Sequence, residues 1–230
     1  MVTSALTIDT SVKLTIQSGV LVKFDPGVSL SIYGRIDATG ATFTSSSASP
    51  TYGSWSNLYI GTGSKKDTSF FNNCTIQWAS NMYIQNLYTV RFNGSTISKF
   101  SGNPLYINSG GAAFLNNTAV TNCNGNIYLP GGKLDCSNST SIYNIGGTNN
   151  GAIDNSSGNL ILANTNIQNC AWPIRLGDQS AALSISGTTD LSLNTIPAIH
   201  VNYSWISGSN TVTFPTANVP YLINYGLNIE

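Results

Sequence analysis

Phe71-Asn72-Asn73-Cys74-Thr75-Ile76, Phe92-Asn93-Gly94-Ser95-Thr96-Ile97 and Leu115-Asn116-Asn117-Thr118-Ala119-Val120 are three renderings of one short phrase. An apolar residue opens it, two turn-forming residues follow, then a small hydroxyl or thiol, and an apolar residue closes it. Three more copies run Cys136-Ser137-Asn138-Ser139-Thr140-Ser141-Ile142, Leu162-Ala163-Asn164-Thr165-Asn166-Ile167 and Ile185-Ser186-Gly187-Thr188-Thr189-Asp190-Leu191. The closing residues lie 21, 23, 22, 25 and 24 positions apart, and two of the six copies carry one extra residue. A repeat in the low twenties with no helical pattern between copies is what one coil of a parallel β-solenoid requires. The third position reads Asn73, Gly94, Asn117, Asn138, Asn164 and Gly187. Asn and Gly enter the left-handed backbone region at low cost, so this column predicts one sharp bend on every coil. Stacked asparagines there would also hydrogen-bond along the axis. The alternative is coincidence in an Asn-rich chain, but the neighbouring columns keep register too.

A second strand follows in each coil. Leu58-Tyr59-Ile60, Met82-Tyr83-Ile84, Leu105-Tyr106-Ile107, Ile127-Tyr128-Leu129, Ile174-Arg175-Leu176 and Ile199-His200-Val201 alternate apolar, variable, apolar. That is the period of a strand with one buried face, so the middle residues should point to solvent. Gly151-Ala152-Ile153-Asp154 fits this register poorly. Strand-like segments also run through 6–60, as Leu6-Thr7-Ile8, Leu14-Thr15-Ile16, Val20 to Phe24, Leu30-Ser31-Ile32 and Ala41 to Thr44. The expectation is an all-β, right-handed parallel β-helix of about ten coils of 21–25 residues, with 1–230 as a single domain. Ser45 to Gly53 and Gly61 to Thr68 read as excursions from it.

Composition narrows the partners. Only 8% of the 230 residues are charged, against about 25% in an average soluble domain. Nine basic and nine acidic residues give zero formal net charge. Nucleic-acid binding needs a basic patch, and the only cationic cluster is Lys65-Lys66 next to Asp67, so no nucleic-acid partner is expected. Scarce Lys and Glu beside abundant Asn, Ser and Gly disfavour helices. No apolar run approaches the length that spans a bilayer as a helix, and no secretory leader follows Met1, so no membrane insertion is expected and any export signal lies outside this chain.

Several stretches resemble the right-handed parallel β-helix repeats of large bacterial secreted and cell-surface, adhesin-like proteins. They are Leu14-Thr15-Ile16-Gln17-Ser18-Gly19-Val20-Leu21-Val22-Lys23-Phe24, Ile32 to Gly40, Thr42-Phe43-Thr44-Ser45 and Gly53-Ser54-Trp55-Ser56-Asn57-Leu58. Val219-Pro220-Tyr221-Leu222-Ile223-Asn224 is similar to the segment that introduces a new unit in such proteins. With the middle coils included, the resemblance covers nearly the whole chain, and it specifies architecture rather than activity. It implies an extracellular or cell-surface location. Leu227-Asn228-Ile229-Glu230 repeats the pattern of Leu6-Thr7-Ile8-Asp9, so the chain is expected to be one unit of a tandem array, with the next beginning near 219–230. Neither terminus shows a polar cap, which solenoids normally need. The chain is then either a fragment or a subunit stacking end to end on its own copies.

Parallel β-helices include polysaccharide lyases and hydrolases, and such chemistry sets definite demands on side chains. Glycoside hydrolysis needs two carboxylates about 5–9.5 Å apart. Asp9, Asp25, Asp37, Asp67, Asp135, Asp154, Asp178, Asp190 and Glu230 occupy scattered positions, without the paired aspartates and Gly-His-Gly of polygalacturonase-like enzymes. Arg175 near Asp178 reads as a solvated surface pair. His200, the only histidine, has no ligand spacing around it for zinc. No catalytic residue, metal or cofactor is therefore expected. Cys74, Cys123, Cys136 and Cys170 fall in core columns. Cys123 and Cys170 share one column two coils apart, about 9.6 Å on strand spacing and too far for a disulfide.

The candidate ligand-binding residues are Tyr59, Tyr83, Tyr106 and Tyr128 on four consecutive coils, continued by Arg175 and His200. Tyrosines about 4.8 Å apart would form an aromatic stripe able to take polysaccharide or a cell-surface glycan, or simply stacking that stabilises the sheet. The leading expectation is a non-catalytic structural and binding module of an extracellular protein. A polysaccharide-degrading enzyme is the first alternative. The second is an ice-binding solenoid, for which Thr42-Phe43-Thr44 and Thr211-Val212-Thr213 are isolated matches, or a filament subunit.

Overall fold

A computed structural model describes residues 1–61, 67–146, 151–203, 205–206, 211–226 and 228–229. Lys65-Lys66, Ser204, Leu227, Glu230 and most of the expected Gly61 to Thr68 excursion lie outside the described residues. The chain is an all-β parallel solenoid of about nine turns, one fewer than the repeat count suggested. Every paired strand is parallel to its neighbour, and apart from the short pair Trp205–Ile206 and Asn228–Ile229 the strands fall on three faces.

The first face is ten-stranded. It runs Leu6–Ile8, Leu30–Ile32, Leu58–Ile60, Met82–Ile84, Leu105–Ile107, Ile127–Leu129, Ile153–Asn155, Ile174–Leu176, Ile199–Val201 and Tyr221–Ile223. The second, eight-stranded, runs Lys13–Ile16, Arg35–Thr39, Asp67–Asn72, Tyr88–Asn93, Ala112–Asn116, Lys133–Ser137, Asn159–Ala163 and Ala182–Ser186. The third, seven-stranded, runs Leu21–Phe24, Thr42–Ser45, Thr75–Gln77, Thr96–Ser98, Ala119–Cys123, Ser141–Ile145 and Asn166–Gln168. Turn length varies more than expected: Leu30 pairs with Leu58 and Ile127 with Ile153, giving turns of 28 and 26 residues. The extra length of the first is the 46–57 segment, which makes a turn at Thr51–Ser54 and buries Trp55 against Phe24, with ring centroids 4.4 Å apart.

Inward residues stack into columns. On the second face one column is Ile16, Ala38, Phe71, Phe92, Leu115, Cys136, Leu162 and Ile185. On the third, Phe43, Ile76, Ile97, Val120, Ile142 and Ile167 are all fully buried. Phe71 and Phe92 stack at 5.2 Å, so aromatic contact adds to area burial where the column is widest. All four cysteines are free and buried, and Ile145 lies between Cys123 and Cys170 in their shared column. Burial pushes the Cys123 thiol up to about 12, so it behaves as a small hydrophobe.

The bend between the second and third faces falls where the sequence placed it. Asn73, Gly94, Asn117, Asn138, Asn164 and Gly187 all have φ between 47° and 64°. A Cβ at Gly94 would lie 2.4 Å from Asn73 Oδ1, so the glycine leaves room for the amide one turn below. The amide ladder runs one column earlier than expected: Asn93 Nδ2 donates to Asn72 Oδ1 at 2.7 Å, and Asn116 Nδ2 to Asn93 Oδ1 at 3.5 Å. Inside this bend the hydroxyls of Ser95, Thr118, Thr140 and Thr165 are buried and donate to carbonyls of their own turn and of the turn before. A second left-handed column closes the third face at Trp78, Lys99, Asn122, Asn144 and Asn169, with φ from 52° to 69°.

The two ends differ. Leu6, Val12, Val20 and Leu21 are exposed on the first turn. At the other end Val212, Phe214 and Ala217 pack against the core beyond Ala182–Ser186, and the Tyr221 hydroxyl donates to Pro215 O at 2.6 Å.

Candidate functional site

The first-face register builds one outward row. In order it holds Thr7, Ser31, Tyr59, Tyr83, Tyr106, Tyr128, Asp154, Arg175, His200 and Leu222. The segment that fitted poorly, Gly151 to Asp154, supplies a strand of this face and puts Asp154 in the gap between Tyr128 and Arg175. All six candidate residues therefore share one column.

Their surfaces differ from the expected open stripe. The four tyrosines are half-buried, while Asp154 and His200 are buried. Tyr59 and Tyr83 have centroids 5.0 Å apart and planes 9° apart, which is face-to-face stacking along the axis. Tyr83 and Tyr106 are tilted at 5.3 Å, and Tyr106 meets Tyr128 edge to face at 5.0 Å. At Tyr59 and Tyr83 the ring faces are therefore used on one another and the outer edges are what solvent meets, while at Tyr106 and Tyr128 the edge of one ring meets the face of the other. Burial first, then the neighbouring Tyr59 and Tyr106, raises the Tyr83 phenol above its ordinary value, keeping it a protonated donor at neutral pH.

An amide ladder flanks the row. Asn81 Nδ2 donates to Asn57 Oδ1 at 3.1 Å, Asn81 Oδ1 accepts from the Asn103 backbone at 2.8 Å, and Asn103 Nδ2 donates to Asn126 Oδ1 at 2.8 Å. Asn57 Nδ2 also reaches the Tyr59 hydroxyl at 3.1 Å. The signal for this ladder was an asparagine just ahead of each tyrosine strand, and it went unread because asparagine is common throughout the chain.

Arg175 does not pair with Asp178. Its Nε donates to Asp154 Oδ1 at 3.0 Å and its Nη2 to Asp154 Oδ2, a two-pronged contact between adjacent turns. The spacing of 21 residues, one turn, brings these two together, whereas three residues along a curving chain do not. Asp178 instead accepts from the Ser180 backbone and hydroxyl, both at 2.8 Å. His200 stacks on Trp172 at 4.6 Å with planes 9° apart. Burial lowers its pKa, so the ring is neutral at pH 7.

The remaining carboxylates are held locally. Asp37 takes Lys13 and Arg35, Asp135 takes Lys133, and Asp190 accepts from Ser192 and Asn218. Among the described residues no three His, Cys, Asp or Glu side chains gather as a metal site would require. Thr42-Phe43-Thr44 is less isolated than expected, since Thr42, Thr75 and Thr96 stack in one third-face column before Ala119 interrupts it. Thr211-Val212-Thr213 faces Gln179 to Ser184 across a recess at the far end.

No family model matches this chain, and neither the curated proteins nor the solved structures compared with it include a match.

Proposed function

We propose that the chain is a non-catalytic binding and spacing module of an extracellular, adhesin-like bacterial surface protein, wound right-handed and set in a tandem array, and that its first face holds polysaccharide. The observation that carries this reading is the in-register row Tyr59, Tyr83, Tyr106 and Tyr128, with centroid spacings of 5.0, 5.3 and 5.0 Å. Such a row is a rigid, periodic line of phenol hydroxyls, pre-organised because each ring is held by the next. A sugar polymer offers hydroxyls in a comparable repeat, so recognition runs through hydrogen bonds at the ring edges rather than through stacking on ring faces. The resemblance to bacterial surface β-helices supports the extracellular setting, and parallel crossovers are right-handed almost without exception.

The test separates the two modes of aromatic recognition. Tyr83→Phe/Tyr106→Phe keeps the rings and removes two hydroxyls. Retention on insoluble polysaccharides should weaken about tenfold, since two neutral hydrogen bonds are lost. Tyr83→Ser/Tyr106→Ser should abolish it. Undiminished retention by the Phe pair would exclude edge-on recognition, and undiminished retention by the Ser pair would exclude this face altogether.

A further inference from the structure

The second face carries a different array. Its central outward column reads Asp37, Phe70, Arg91, Phe114 and Asp135 on five consecutive turns. Arg35 lies over the Phe70 ring at 5.3 Å, Arg91 over Phe114 at 4.3 Å, and Lys133 over Phe114 at 4.9 Å. The cations at the two ends are ion-paired in place. Lys13 and Arg35 each meet Asp37 at 2.7 Å, and Lys133 meets Asp135 at 3.2 Å. The Arg35 hydrogen bonds, more than any other influence, hold Asp37 below the usual carboxylate range, so that end stays paired at neutral pH. Arg91 is the exception. It is exposed, and among the described residues no carboxylate lies within 4 Å of it.

The ground on either side is polar and stepped. Thr89 and Ala112 form a low column beside Arg91, and Asn72, Asn93 and Asn116 form the hydrogen-bonded amide ladder on the other side. A guanidinium with its plane supported by an aromatic ring keeps its outer N–H groups in a fixed fork, which matches a carboxylate at two points. Phe70 and Phe114 sit one strand away on each side, about 4.8 Å each, within reach of the sugar rings flanking a bound acid group. We propose that the second face is a separate binding site, centred on Arg91, for a carboxylate-bearing polysaccharide. The uncompensated charge selects the anion, the fork selects a planar acid, and the rings and amides select a sugar chain. This site does not depend on the tyrosine row, which lies on another face.

Retention on immobilised polygalacturonate, dextran sulfate and neutral dextran tests the assignment. The unmodified chain should be held by polygalacturonate in preference to both dextrans, with retention falling as salt rises. Arg91→Gln should lose it by at least about tenfold, as expected when a charged hydrogen bond is removed. Arg91→Lys, which keeps the charge and loses the fork, should recover only part. Because Arg91 is exposed, both variants should melt with the parent. Tyr83→Phe/Tyr106→Phe should leave polygalacturonate retention unchanged. Equal retention by Arg91→Gln, or dextran sulfate held as well as polygalacturonate, would overturn the proposal. Loss of polygalacturonate retention in the Phe pair would also overturn it, by placing the acid polymer on the first face, and Arg91→Gln leaves the tyrosine-row reading intact whatever it does here.

Discussion

At Asn117 the side chain is exposed and φ is 47°, so the residue is present for its backbone. Asn117→Gly should change stability in urea by less than about 0.5 kcal/mol, whereas Asn117→Val should cost about 1–2 kcal/mol, because a β-branched residue resists the left-handed region. One position on, Thr118 is buried and its hydroxyl contacts Phe92 O and Asn116 O, both at 3.0 Å. Thr118→Val keeps the shape and removes the buried hydroxyl that donates to those carbonyls, at a cost of about 0.5–1.5 kcal/mol. His200 gives a pH signature. Its folded pKa lies below the ordinary 6.5, so the unfolded chain binds the proton more readily. Stability is therefore complete above pH 6.5 and declines as pH falls below it. As the only histidine, it should account for the change between pH 7 and 5, and His200→Gln should flatten that segment of the stability–pH curve.

At the scale of elements, what the sequence made legible was whatever repeats in residue type. The Asn/Gly bend column was readable because the left-handed region selects those two residues. The bend after the third face was not, because Trp78 and Lys99 occupy it on two successive turns before Asn122, Asn144 and Asn169 take over. Trp78 and Lys99 are held there by each other, the Lys99 ammonium lying 4.3 Å over the Trp78 ring, so local contact overrides local preference. The tyrosine column was readable in register but not in orientation, since alternation fixes which way a side chain leaves the sheet and says nothing of how its ring turns. Asp154 was missed because a turn of 26 residues displaced it from the period. Within the core, Ile97→Ala should cost about 2–5 kcal/mol in chemical unfolding, because Ile97 is fully buried between Ile76 and Val120 and the turns above and below cannot close over the gap.

For the whole molecule, winding is the source of every site. Neither the tyrosine row nor the Arg91 array exists in a stretch of chain; each is assembled from residues about two dozen places apart. A solenoid gains stability turn by turn from nearest neighbours, and its faces become periodic surfaces with one spacing and separate chemistries: hydroxyl edges on the first, cation, ring and amide on the second, threonine on the third. The most direct test is cross-linking by turn. Thr96 and Ala119 are direct partners on the third face, about 4.8 Å apart, while Ser141 is two turns from Thr96, about 9.6 Å away. Mild oxidation of Thr96→Cys/Ala119→Cys should give an intramolecular disulfide, and Thr96→Cys/Ser141→Cys should give none. Failure of the first pair to close, or equal closure of both, would contradict the stacked solenoid.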